Sequence, residues 1–102
     1  QFTRVGRYVM VQGGTRFGKD VPPFSLIGRE PASYEGLNIV GLKRHGYTTQ
    51  QIAEAQGVYR RIYLSKLNTT QALEAIEAEM PKSDIVNEIV EFVKASKRGI
   101  IK

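Results

Sequence analysis

The residues best equipped for chemistry in this chain stand in a row: Lys43, Arg44 and His45. An ammonium, a guanidinium and an imidazole can together grip a diphosphate through charge-assisted hydrogen bonds. The same three would also suit the last turn of a short helix, whose carbonyl end attracts positive charge. The pattern supports both readings equally. Other chemistry is thinly provided. No nucleophile–base arrangement is visible, and with His45 the single histidine and cysteine absent, no thiolate or His/Cys metal set can be assembled. Gln12-Gly13-Gly14-Thr15 is glycine-rich, but it lies within a β-type repeat with no helix following, which argues against a phosphate loop. Neither a metal nor a cofactor is expected.

The charge around this trio is positive. Fifteen Lys and Arg against ten Asp and Glu leave +5, scattered along the 102 residues. That balance admits an anionic partner such as a phosphate ester, an acidic carrier protein or nucleic acid, although a plain solvated basic surface accounts for it more simply. The five tyrosines are too dispersed for a base-stacking platform and no nucleic-acid motif is present. No apolar run is long enough to span a bilayer. The first residue is Gln1 rather than Met and no signal peptide is visible, which leads us to expect a processed chain or a fragment, with a cytoplasmic home compatible.

The elements that must position the trio fall into two zones. Residues 5 to 22 read as three six-residue units, opened by Val5, Val11 and Phe17, with Val9, Thr15 and Val21 in the fifth place and Thr3 one unit earlier. A hexad repeat builds a parallel β-helix, eighteen residues to a coil, with the opening apolar residues pointing inward. One coil cannot stand alone, because its edge needs a neighbour. Asp20 to Phe24 should be extended, since Pro22 and Pro23 fix their own backbone and restrict the residue before them. Ser25 to Gly28 reads as a last strand, and residues 29 to 36 as a loop leading out of the sheet.

The second zone is helical. Asn38 caps a short helix that carries Lys43 and Arg44 in its last turn and ends at Gly46. Thr48-x-x-Gln51 is a capping box for a helix to about Lys66, with Ile52, Ala55, Tyr59, Ile62 and Tyr63 on its apolar face. Gly57 inside it should cost about 1 kcal/mol relative to Ala and so implies a close helix contact. Asn68-x-x-Gln71 caps a third helix bearing Ala72, Leu73, Ala75, Ile76 and Met80, stopped by Pro81. Ser83-Asp84 caps the last, with Ile85, Val86, Ile89, Val90, Phe92 and Val93 buried and Gly99 closing it. The fold expected from these patterns is mixed α and β: a coil of a parallel β-helix over residues 1–30, then a small C-terminal helical domain over residues 31–102.

These residues carry a resemblance. Gln1-Phe2, Val5-Gly6, Val9-Met10-Val11 with Gly13, and Asp20-Val21-Pro22-Pro23 resemble the last coil of the UDP-N-acetylglucosamine O-acyltransferases of lipid A synthesis. Gly36-Leu37-Asn38-Ile39-Val40-Gly41-Leu42-Lys43-Arg44-His45-Gly46-Tyr47 is similar to the signature of that family, Tyr59 to Tyr63 to its helical stretch, and Ser96 to Lys102 to its closing tail. The resemblance implies a cytoplasmic homotrimer of left-handed β-helices. It implies transfer of a 3-hydroxyacyl chain from acyl carrier protein to the 3-hydroxyl of UDP-N-acetylglucosamine, with a general-base histidine outside this chain. It implies substrate contacts at Gln1, Asn38, Arg44 and His45, and an acyl channel ending near Met10 and Gly13, where the missing side chain leaves room for a long acyl chain. His45 stands where many relatives carry a second arginine, and Val40 where some carry glutamate. Arg4, Arg7, Arg16, Lys19 and Arg29 would form a basic coil surface suited to steering an acidic carrier. The alternatives are another hexapeptide-repeat acyltransferase or a non-enzymatic basic interaction module, to which steeply salt-dependent DNA binding would point.

Overall fold

The computed structural model describes residues 3–13, 18–28, 33–96 and 99–101. Expectations resting on Gln1, Thr15, Arg16, Phe17 and Arg29 therefore lie outside the described residues. Three strands and four helices follow in order: β1 (Met10–Val11), β2 (Ser25–Gly28), β3 (Ser33–Leu37), α1 (Ile39–Arg44), α2 (Thr49–Tyr63), α3 (Thr69–Glu79) and α4 (Asp84–Lys94).

The β part is layered. β1 lies parallel to β2, with Met10 opposite Leu26 and Val11 opposite Ile27, and Val5 bridges Val21 in the same sense. Each residue thus meets one sixteen positions later, not the eighteen expected of three whole hexads. First-place Val5 and Val11 consequently lie over fifth-place residues of the next layer. Both are substantially exposed, at 50% and 37%, while Val21 and Ile27 beneath them are fully buried. Paired residues of a parallel sheet share a face, so the two valines face the same way as the core, on an edge that no described residue covers. The layers approach closely at Gly6, where a Cβ would stand 2.5 Å from the Cα of Pro23.

Phe24 departs from the extended conformation expected of the proline segment. Its φ is 67°, and that of Tyr8, sixteen residues earlier, is 58°. The Phe24 N–H donates to the Arg7 carbonyl at 2.9 Å, so two corners of the same kind lie one above the other. Turning Phe24 drives its ring into the core shared with the helices, a burial that offsets the cost of a left-handed backbone at a bulky residue.

The segment read as an exit loop contains β3, antiparallel to β2 from Ser25↔Leu37 to Gly28↔Ser33 with an irregularity between Leu26 and Ile27. On the neighbouring side the chain's tail returns. Ile100 bridges Asp20 in parallel, and the Ile101 N–H donates to the Asp20 carbonyl at 3.0 Å. Ile101 packs with Val21, Ile27 and Val9. β3 and the tail thereby cover edge groups of the lower layer that would otherwise be unpaired.

The helical zone follows its capping residues. Thr48 and Asn68 each form both halves of a capping box, and Ser83 accepts from the Val86 N–H. α2 ends at Tyr63, three residues short of expectation, because the Ser65 hydroxyl takes the Arg61 carbonyl and accepts from the Leu67 N–H. Val58 joins the buried face of α2, and Phe92 of α4 is only partly buried. Gly57 does meet a neighbour closely, the Met80 methyl. α4 is closed by Ala95, not Gly99, which sits in the following turn with φ 79°. Phe24, Leu42, Ile100 and the inner faces of α2, α3 and α4 form one continuous core.

Candidate functional site

α1 is only six residues long and could not hold its place by propensity. Asn38 holds it. Its backbone N–H donates to the Phe24 carbonyl at 2.7 Å, its Nδ2 donates to the Tyr8 carbonyl at 3.0 Å, and its Oδ1 accepts from the Gly41 N–H at 3.1 Å. One 9%-exposed residue therefore ties both corners to the first turn of the helix, through its side chain at Tyr8 and its backbone N–H at Phe24. Gly41 makes room for it, since a Cβ there would stand 2.4 Å from Asn38 Nδ2. Leu42, fully buried, pins the helix to the core.

The far end of α1 presents the basic trio. Lys43 and Arg44 occupy the last turn, and His45 is the cap, its N–H shared between the Gly41 and Leu42 carbonyls at 3.1 and 3.2 Å. All three are exposed. A helix C-terminus carries partial negative charge, so an anion here would have to be held by these side chains and not by the backbone.

His45 lies flat on Tyr8, ring centroids 3.9 Å apart and planes 18° from parallel. Tyr47 meets Tyr8 edge-on at 6.1 Å. Arg7 places its guanidinium 5.3 Å from the Tyr8 ring and donates through Nε and Nη2 to both carboxylate oxygens of Glu88 on α4, at 2.8 and 2.7 Å. That hydrogen-bonded pairing raises the Arg7 pKa, and burial raises that of Tyr47. Tyr8, His45, Tyr47, Gln51, Asp84 and Glu88 line part of a pocket of about 310 Å³ between the corner, α1 and α4.

Of the residues expected at the site, Asn38, Arg44 and His45 come together on α1, and Tyr8 links them to the strand bearing Met10. Met10 is half exposed and Gly13 exposed, with open space where a Gly13 Cβ would stand. Gln1 lies outside the described residues. Asn38 acts as a structural tie, which its capping position only half foretold. Tyr8 and Glu88 were missed, and Arg7, expected on a basic steering surface, is instead paired with Glu88. Arg7 and Glu88 are 81 residues apart, and no local spacing could have paired them. Among the described residues, no group of His, Cys, Asp or Glu could hold a metal ion, and no helix is long and apolar enough to cross a membrane.

Fold and site define a mixed α/β chain in which helices seal a short parallel β stack and hold a basic helix end beside it. A family profile described as UDP-N-acetylglucosamine O-acyltransferase, domain 2, matches residues 20–101. The acyl-[acyl-carrier-protein]–UDP-N-acetylglucosamine O-acyltransferase of Myxococcus xanthus is 34% identical over 98% of this chain and 39% of its own length. The protein of that name from Syntrophobacter fumaroxidans is 39% identical over 95% and 38%. Among solved structures, the UDP-N-acetylglucosamine acyltransferase of Bacteroides fragilis superposes with a TM-score of 0.97 at 52% identity, covering all of this chain and 40% of that one. The Acinetobacter baumannii structure gives 0.93 at 30% identity, covering 100% and 40%. The chain belongs to the UDP-N-acetylglucosamine O-acyltransferase family, and it spans about two-fifths of the length of the relatives it matches.

Proposed function

We propose that this chain serves an enzyme that transfers a 3-hydroxyacyl group from acyl carrier protein to the 3-hydroxyl of UDP-N-acetylglucosamine, the first step of lipid A synthesis, in the cytoplasm. The observation that carries the reading is the basic end of α1, locked to the coil corners by Asn38 and lying in a family whose relatives are named for that nucleotide sugar. Arg44 and His45 hold the diphosphate, the guanidinium as a fixed fork and the imidazole as a single donor. Asn38 orients them and borders the nucleotide, and Gln1 contacts the sugar. The acyl chain runs past Met10 toward Gly13, whose open surroundings suit a long chain. His45 stands at the phosphate-binding end, and the resemblance to the family assigns the base that takes the hydroxyl proton to a histidine outside these 102 residues.

The parallel stack is the last coil of a left-handed β-helix, with residues 1–30 forming the coil and residues 31–102 the helical domain. Three such chains assemble around a common axis, in keeping with the exposed apolar Met10 and Val40. In the full-length protein, Arg44→Ala should raise KM for UDP-N-acetylglucosamine by about tenfold or more while kcat falls less, the signature of lost ground-state binding. The 102-residue chain by itself should give no turnover with acyl carrier protein and UDP-sugar. Turnover by that chain, or an unchanged KM in the Arg44 variant, would overturn the reading.

A further inference from the structure

We propose that Tyr8 is a positioning residue that holds the His45 imidazole ready for the nucleotide-sugar phosphates. The inference rests on the reading above, in which His45 meets that diphosphate. An exposed histidine at the cap of a six-residue helix would ordinarily sample several rotamers, and freezing one on binding costs affinity. Here the ring is already laid against Tyr8, centroids 3.9 Å apart and planes at 18°. Stacking occupies the face of an imidazole and leaves both nitrogens at its edge, so the hydrogen-bonding capacity survives the restraint.

Tyr8 is itself held by contacts that do not depend on His45. Its backbone takes the left-handed conformation with φ 58°, and its carbonyl is bound by Asn38 Nδ2 at 3.0 Å. Tyr47 supports its ring edge-on, and Phe24 lies 6.2 Å away. Arg7, fixed by two hydrogen bonds to Glu88, lies 5.3 Å from the ring centroid. The Glu88 carboxylate is thereby committed to Arg7. Asn38 sets the helix and Tyr8 sets the side chain at its end, both from the same corner. A site built from supported side chains loses precision when the support is removed, even though the support never touches the substrate.

The test is a double-mutant cycle in the full-length protein, read as KM for UDP-N-acetylglucosamine at saturating acyl carrier protein. Tyr8→Leu keeps apolar bulk and the same backbone demand but removes the flat ring. It should raise KM about fivefold to tenfold, and His45→Ala by about as much, with kcat changed less. Tyr8→Phe keeps the ring and should return KM to within about twofold of the parent. In the His45→Ala background, Tyr8→Leu should add nothing, because Tyr8 acts only through the imidazole. Tyr8→Leu effects that multiply with His45→Ala, or a Tyr8→Phe variant as weak as Tyr8→Leu, would overturn the proposal while leaving the acyltransferase reading in place. An unchanged KM in His45→Ala would overturn both this proposal and the assigned role of His45. A full-length protein that does not acylate the nucleotide sugar at all would remove the reading and the inference together.

Discussion

At the scale of single residues, Asn38 and Gly41 form one device. The amide reaches the Tyr8 carbonyl and the first helical turn only because position 41 has no Cβ. Asn38→Ala removes a helix cap and a part-buried cross-link, and should cost about 1–2 kcal/mol in urea unfolding. Gly41→Ala should destabilise the parent by forcing the amide off its partners. In the Asn38→Ala background it should instead stabilise, by up to about 1 kcal/mol, as ordinary helix propensity takes over. Equal effects of Gly41→Ala in the two backgrounds would contradict the account. Asn38 was legible in the sequence as a helix cap. The glycine's reason was not, because it depends on a carbonyl contributed thirty residues earlier.

At the scale of elements, helix starts were readable to the residue because Thr48, Asn68 and Ser83 satisfy backbone donors locally. The ends were less readable. α2 is cut by a competing serine hydroxyl, and α4 by a turn at Ala95. β3 was missed altogether, since Ser33-Tyr34-Glu35-Gly36-Leu37 has little strand propensity and is a strand only because β2 offers it an edge. Gly57 provides a test of element packing. An added Cβ would meet the Met80 methyl at 3.0 Å, the far end of a flexible side chain at the end of α3. We expect Met80 to swing aside, so that Gly57→Ala raises stability by roughly 0.5 kcal/mol through helix propensity. A loss of stability in thermal unfolding would mean that the α2–α3 contact is tighter than that flexibility allows.

At the scale of the whole molecule, three tyrosines join the helices to the β stack and its tail. Tyr34 and Tyr63 stack at 4.2 Å, the Tyr59 hydroxyl donates to the Pro23 carbonyl, and that of Tyr63 donates to the Ile101 carbonyl at 2.7 Å. Burial pushes the Tyr34 phenol up to about 12, and raises Tyr59 and Tyr63 as well. The folded chain therefore keeps these protons after the unfolded chain, titrating near pH 10, has lost them. Stability from this cluster should be intact below about pH 10 and should fall between about pH 10 and pH 12 as the unfolded state ionises. Tyr34→Phe should flatten part of that fall in urea midpoints measured across the range. An unchanged slope would mean that Tyr34 does not contribute to it.

The basic charge also looks different at this scale. Arg7, Arg61 and Lys94 are paired with Glu88, Glu79 and Glu77, and Arg4 lies over the Phe92 ring while its N–H donates to Asp20. This weakens the reading of the chain as a free basic module, while the end of α1 keeps three adjacent exposed basic side chains. By itself the sequence determined the β-then-helix order, the helix starts and the basic trio, because periodicity, caps and adjacent charges act over a few residues. The tertiary structure decided the sixteen-residue layer offset, the return of the tail onto Asp20 and the stacking of His45 on Tyr8. Those depend on groups far apart in the chain, brought together by burial of a shared core.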